Sequence, residues 1–173
     1  MHHEEADKPG ESPAPKVRSR GGRGISIIRL QMIREGHFPY SSKPVKNSSV
    51  AAHILQSYLA GADREYFMAL LLDAKHWVNA LNVVAIGSLT TSIVHPREVF
   101  KPAVMMSSAS IVVGHNHPSG DPAPSREDIE LTQRLVKAGE LLGITVLDHI
   151  IIGEGRYVSF SDRGLMTSAR EGR

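Results

Sequence analysis

Apolar residues in this chain come in short runs of differing period, separated by Gly, Pro and polar clusters. Tyr66 to Leu72, YFMALLL, is a continuous apolar run, as expected of a strand covered on both faces. Trp77 to Ile86 is a second strand-like run, and Asp73-Ala74-Lys75 between them predicts a hairpin turn. Ser110 to Val113 and Thr145 to Ile152 read as further strands, and Gly153 and Gly155 flank a turn into Tyr157 to Phe160. Ile25 to Ile33, ISIIRLQMI, also predicts a strand, broken by Gly36, Pro39 and the pair Ser41-Ser42. Thr90 to Val94 is expected to continue the sheet after Gly87.

Between these runs the spacing becomes helical. Asn47 or Ser48 caps a helix through about Leu59, with Val50, Ile54, Leu55, Tyr58 and Leu59 on one side and Gly61 as the stop. Pro96 suits the first turn of a helix from about Arg97 to Ser107. Ser125 to Leu142 carries Ile129, Leu131, Leu135, Ala138 and Leu142 at helical intervals, with Gly143 as its end. Strands alternating with helices predict a mixed α/β fold, a sheet with helices packed against it, and the hairpin makes part of that sheet antiparallel.

Composition narrows the partners and the chemistry. The 173 residues suffice for a core that folds alone, and 41% hydrophobic with 22% charged residues is ordinary for a globular chain. No apolar run reaches the length of a membrane span, so no membrane partner is expected. The first residues, MHHEEADKPGESPAPK, lack the apolar region of a signal peptide, which makes the cytoplasm the expected location. Residues 1–24 read as a disordered basic and Pro-rich tail, and residues 167–173 as a short C-terminal one, with fraying from Leu165. Lys16, Arg18, Arg20 and Arg23 could meet phosphates, although a solvated tail is the plainer reading, and a net charge of +2 does not by itself imply nucleic acid.

The chemistry gathers in GHNHPSGDPAPSR, residues 114–126, and Asp128 beyond it. His115 and His117 are two apart, so their side chains share a face only in extended backbone, and Pro118 keeps His117 out of the helical region. Two aligned imidazoles with one carboxylate make a three-ligand zinc site with a fourth position for water. With no cysteine in the chain, disulfides and every Cys-ligated site are excluded. The plainer readings are two surface histidines at a strand end and, for Ser125 and Asp128, a capping box, which is compatible with a ligand role. His95 and His149 are expected to pack or hydrogen-bond rather than bind metal. Gly153-x-Gly155 reads as a turn and the literal H-N-H string as no nuclease motif.

H-x-H, seven residues, Ser, two residues, Asp resembles the JAMM motif of JAB/MPN-domain metallopeptidases. The longer string HNHPSGDPAPSREDIELTQRLVKAGELLGITVLDHIIIG, with VHPREVF at 94–100 and YVSFSDRGL at 157–165, resembles the bacterial RadC branch over residues 48–166. That resemblance implies a JAB/MPN domain there, with residues 25–47 as an N-terminal strand and loop extension. It implies a zinc-bearing sheet sandwiched by helices in three layers, related to the cytidine deaminase fold. Deamination itself is disfavoured, because its zinc signature needs cysteines. The resemblance assigns His115, His117 and Asp128 as metal ligands and Ser125 as the serine that helps hold the oxyanion or the bound water. Glu65, in REYFMALLLD, matches the upstream glutamate that acts as general base. Asn116 departs from the pattern, standing where many such peptidases have Ser or Thr. The helix-hairpin-helix segment often found before RadC domains is not seen, which weakens any expectation of DNA binding.

The resulting expectation is a Zn2+-dependent hydrolase, a metallopeptidase or isopeptidase acting on an amide of a protein or peptide substrate. The rival is a non-catalytic zinc-containing accessory protein of DNA repair or of mobile elements, and a third possibility is a metal-dependent nuclease.

Overall fold

The uninterrupted apolar run and its polar turn fold as the sequence leads one to expect. Asp73 Oδ1 accepts from the backbone N–H groups of Lys75 and Trp77, at 2.8 and 2.9 Å, and so closes the turn between β1 (Tyr66–Leu72) and β2 (Val78–Ile86). The computed structural model describes residues 25–40, 43–87 and 94–166. The remaining elements are α1 (Ser48–Tyr58), α2 (Pro96–Met105), β3 (Ser110–Asn116), α3 (Arg126–Leu142), β4 (Thr145–Ile152) and β5 (Tyr157–Ser159). The five strands form one sheet in the order β2-β1-β3-β4-β5. All neighbours are antiparallel except β3 and β4, which α3 connects in parallel.

Local chemistry sets the helix ends. Asn47 caps α1 by accepting from the Val50 N–H at 3.1 Å, and His95 caps α2 by accepting from Arg97, with Pro96 in the first turn. Gly143 ends α3 in the left-handed conformation, φ 69°, where a Cβ would be strained.

Helices cover both faces of the sheet, which explains strands that are apolar at every position. On one face Ala51, Ala52, Ile54 and Leu55 of α1 pack on Met68, Leu70, Leu72, Val112 and Ile150. On the other, Val99, Phe100 and Ala103 of α2 and Leu131 and Leu135 of α3 pack on Phe67, Ala69, Leu71, Ile111 and Val113. Each such large buried side chain is worth about 1.5–3 kcal/mol. The layers approach closely at Gly114, where a Cβ would stand 2.5 Å from Leu55 Cδ1 and 2.9 Å from the Ile150 carbonyl oxygen.

β4 carries one irregularity. Ile111 pairs with Val146 but Val112 pairs with Asp148, so Leu147 is an extra residue that shifts the alternation of the strand. His149 consequently faces the α3 side together with Phe67 and His115.

The strand expected over Ile25–Ile33 is corrected by the structure: residues 25–40 adopt no regular structure. Contacts divide the chain into residues 1–31 and 32–173. In the first unit Ile25, Ile27, Ile28 and Leu30 are exposed, and in the second Ile33 is too. Apolar residues suit a strand, but a strand needs a ladder partner for its N–H and C=O groups, and none pairs with this segment among the described residues. The expected continuation at Thr90–Val94 lies outside the described residues apart from Val94, which is buried without being in a strand. The tails 1–24 and 167–173, with the Lys16–Arg23 cluster, also lie outside them. No helix among the described residues is long and apolar enough to cross a membrane.

Candidate metal centre

β3 runs between β1 and β4 and carries His115 near its end, with His117 just beyond, at the carboxyl edge of the parallel pair, the edge at which open α/β sheets hold ligands. His115 is fully buried and His117 partly so. α3 starts beside them, and its first turn carries Asp128, also fully buried. His115 Nε2 and His117 Nε2 lie 3.0 Å apart. Asp128 Oδ1 is 3.2 Å from His115 Nε2, and Oδ2 is 3.6 Å from His117 Nε2. This is the one trio of His and acidic side chains with converging ligand atoms among the described residues.

The capping box is also real, and it uses a different oxygen. Ser125 N–H and Ser125 Oγ–H both donate to Asp128 Oδ2 at 2.7 Å, and Asp128 N–H donates back to Ser125 Oγ at 3.1 Å. Asp128 Oδ1 is left buried with no hydrogen-bond partner among the described residues. A buried carboxylate oxygen without a donor is costly, of the order of 1–3 kcal/mol or more. His117 adds to the demand for a cation. Its Nδ1 lies 2.8 Å from the Asp121 carbonyl oxygen, which only accepts, so Nδ1 carries the proton and a neutral ring has a bare Nε2.

The bare Nε2 of a neutral His117 and Asp128 Oδ1 therefore both lie beside His115 Nε2. Bonds of 2.0–2.1 Å to a tetrahedral zinc imply ligand-to-ligand edges of about 3.3 Å. The 3.0 Å between the two Nε2 atoms and the 3.2 Å from His115 Nε2 to Asp128 Oδ1 lie close to that value. His115, His117 and Asp128 can hold a metal ion, and the donor set of two imidazoles and a carboxylate suits zinc. Titration follows from the same crowding. Burial alone would raise the Asp128 carboxyl, but the His115 and His117 rings outweigh it and hold it well below the usual carboxylate range. Asp128 in turn raises the His117 pKa above its ordinary value against the opposing effect of burial, with smaller contributions from the Asp121 carbonyl and the Glu65 charge.

Glu65 is half-buried and sits one residue before β1. Phe67 pairs with His115, and continuing this antiparallel register by two residues puts position 65 across from position 117 on the same face. Its backbone is held from both sides. The Gly87 N–H donates to the Glu65 carbonyl at 2.8 Å, while Asn116 Oδ1 accepts from Tyr66 N–H at 2.8 Å and Asn116 Nδ2 donates to the Arg64 carbonyl at 2.9 Å. Asn116, a departure from the motif at the level of sequence, thus clamps the residues flanking Glu65. The signal for it was present as an amide between two candidate ligands.

Ser125 has its hydroxyl proton committed, since the hydroxyl donates to Asp128 Oδ2, and an oxyanion role requires that bond to be exchanged. His95 is a helix cap. His149 is fully buried, stacked on Phe160 with ring centroids 4.7 Å apart and edge-on to Phe67, and burial pulls its pKa far below the ordinary histidine value. His117 and Asn116 also border a cleft of about 670 Å³ whose other walls include Gln56, Leu59, Pro118, Gly120, Ile152 and Glu154.

Comparison with known proteins gives the same outline. Residues 45–165 match the family model described as the RadC-like JAB domain. The chain is 63% identical over 103 residues to a UPF0758 protein of Methanosarcina barkeri, covering 60% of this chain and 45% of that protein. It is 61% identical over 103 residues to one of Geobacter sulfurreducens, with the same coverage. With a UPF0758 protein of Caldanaerobacter subterraneus subsp. tengcongensis it shares 53% identity over 151 residues, 82% of this chain and 65% of the relative. The chain thus spans roughly half to two thirds of the length of the curated relatives it matches.

Proposed function

This chain belongs to the RadC-like JAB domain family, and from that premise we propose that it is a zinc-dependent hydrolase cleaving an amide bond in a protein or peptide. The observation that carries the proposal is Asp128 Oδ1, buried, with no donor among the described residues and 3.2 Å from a histidine nitrogen. When bound, zinc supplies a water whose pKa is lowered to about 7 and polarises the scissile carbonyl.

The chain's own residues supply the rest. His115, His117 and Asp128 would hold the ion through three protein ligands. Glu65, on the same face as His117, accepts a proton from the attacking water and delivers it to the departing amine nitrogen as the C–N bond breaks. Asn116 and Gly87 keep the Glu65 backbone from shifting during this exchange. Ser125 holds the Asp128 carboxylate through Oδ2, with Oδ1 beside His115 Nε2. In this reading the substrate backbone lies in the cleft beside His117, whose walls carry the small residues Gly61, Ala62, Gly120 and Gly153.

Elemental analysis of protein expressed with ample metal, paired with turnover of a fluorogenic peptide library, tests the proposal. The expected result is about one zinc per chain, cleavage by the parent, and Glu65→Gln that keeps zinc and loses cleavage. Zinc without cleavage in the parent contradicts hydrolysis and favours an accessory protein in which the metal only holds the loop. Parent-like cleavage by Glu65→Gln removes Glu65 as the base.

A further inference from the structure

His115 has two ring nitrogens and only one of them faces His117 and Asp128. The other, Nδ1, lies 2.9 Å from His149 Nε2. The opposite nitrogen of His149, Nδ1, lies 2.7 Å from Thr132 Oγ1. Thr132 Oγ1 in turn lies 2.6 Å from the backbone carbonyl oxygen of Asp128, one helical turn back in α3. Thr132, His149 and His115 are all completely buried, so no bulk water competes for these bonds.

The protons along this chain can be counted from its end. A carbonyl only accepts, so the single hydroxyl proton of Thr132 goes to Asp128. Thr132 Oγ1 must then accept from His149, which places the His149 proton on Nδ1. A neutral imidazole has one proton, so His149 Nε2 is bare and accepts. His115 must therefore donate from Nδ1, and its own Nε2 is left bare toward His117 and Asp128. We propose that Thr132 and His149 are positioning residues that hold His115 in the tautomer protonated on Nδ1, keeping Nε2 available to a metal.

The fold is arranged for this. Were β4 paired without the register shift at Leu147, its alternation would turn His149 away from His115. Asp148, turned the other way, is fixed by accepting from the Ser159 hydroxyl and from the N–H groups of His149 and Ser161. Phe160 and Phe67 hold the His149 ring from two directions. The hydrogen-bond chain also begins at the backbone of one candidate ligand and ends at the ring of another, so it ties the position of α3 to the orientation of His115.

The inference rests on the metal reading for its purpose, but its content is a tautomer that can be read without metal. Nitrogen-15 NMR of the histidine rings in chelator-treated protein at pH 8 should show His115 protonated on Nδ1. Thr132→Val keeps the side chain's shape and removes the acceptor, and it should move His115 toward the Nε2-protonated form. Zinc affinity, read by competition with a chelator, should fall about tenfold to a hundredfold in Thr132→Val, the usual effect of losing a group that orients a ligand. Thr132→Ser should restore both readouts. His149→Gln, checked for a folded spectrum, should resemble Thr132→Val. A parent His115 protonated on Nε2, or Thr132→Val with unchanged tautomer and affinity, would overturn the inference. A parent with the expected tautomer that binds no zinc supports the hydrogen-bond chain and contradicts the proposed function.

Discussion

At Asp128 the two oxygens have different surroundings, Oδ2 taking both Ser125 donors and Oδ1 lying 3.2 Å from His115 Nε2. Asp128→Asn can keep the cap through its carbonyl oxygen, but its other atom is then an NH2 group that donates where a metal needs a lone pair. The expected outcome is a loss of zinc affinity of at least about tenfold to a hundredfold, with metal-free mutant and parent melting within a few degrees of each other. An isotherm that overlays the parent's would remove Asp128 from the ligand set. His117 predicts a pH dependence. Asp128 raises its pKa, so a proton occupies Nε2 in metal-free protein to a higher pH than in an ordinary histidine. Zinc must displace that proton, so affinity should climb by about tenfold per pH unit up to the raised pKa and level off above it. A chelator-competition series that is flat from pH 6 to 8 would contradict the proton's presence. Much of this residue-level picture was legible in the sequence, because H-x-H in extended backbone and S-x-x-D at a helix start are both fixed by short-range geometry. Glu65 is not readable that way: its place opposite position 117 depends on strand register across about 50 residues, and only resemblance to a family pointed to it. His149 was legible as a histidine that packs or hydrogen-bonds, and it does both, but its partners Thr132 and His115 were not, since its direction is set by the bulge at Leu147.

Among the elements, Gly114 marks where α1 and β4 press on the strand that carries the histidines. Gly114→Ala should destabilise the fold by roughly 1–3 kcal/mol, since the backbone carbonyl of Ile150 cannot yield as a side chain can. Chemical denaturation measures this directly, and an unchanged midpoint would mean that α1 is free to lift. Asn116→Ala removes two bonds that flank Glu65 and should leave zinc affinity close to the parent's while lowering turnover more than stability. Element boundaries were readable where one side chain decides them, as Asn47, Pro96, Ser125 and Gly143 do. The failure at Ile25–Ile33 has a physical cause: apolar content reports what a segment can bury, whereas a strand exists only if another backbone is there to pair with it.

For the whole molecule, the continuous apolar strands already implied cover on both faces, and α1 on one side with α2 and α3 on the other supply it. The order β2-β1-β3-β4-β5 was not recoverable from periodicity, which says nothing about which strand is central. Placing β3 in the centre buries His115 completely and brings β1 and β4 alongside it, so Glu65 and His149 reach the same face from opposite sides. Crystals of zinc-replete protein measured at the zinc absorption edge test the central claim most directly. The predicted result is one strong anomalous peak about 2.0–2.2 Å from the Nε2 atoms of His115 and His117 and from Asp128 Oδ1. No peak between those three residues, or zinc held only elsewhere on the chain, would contradict it.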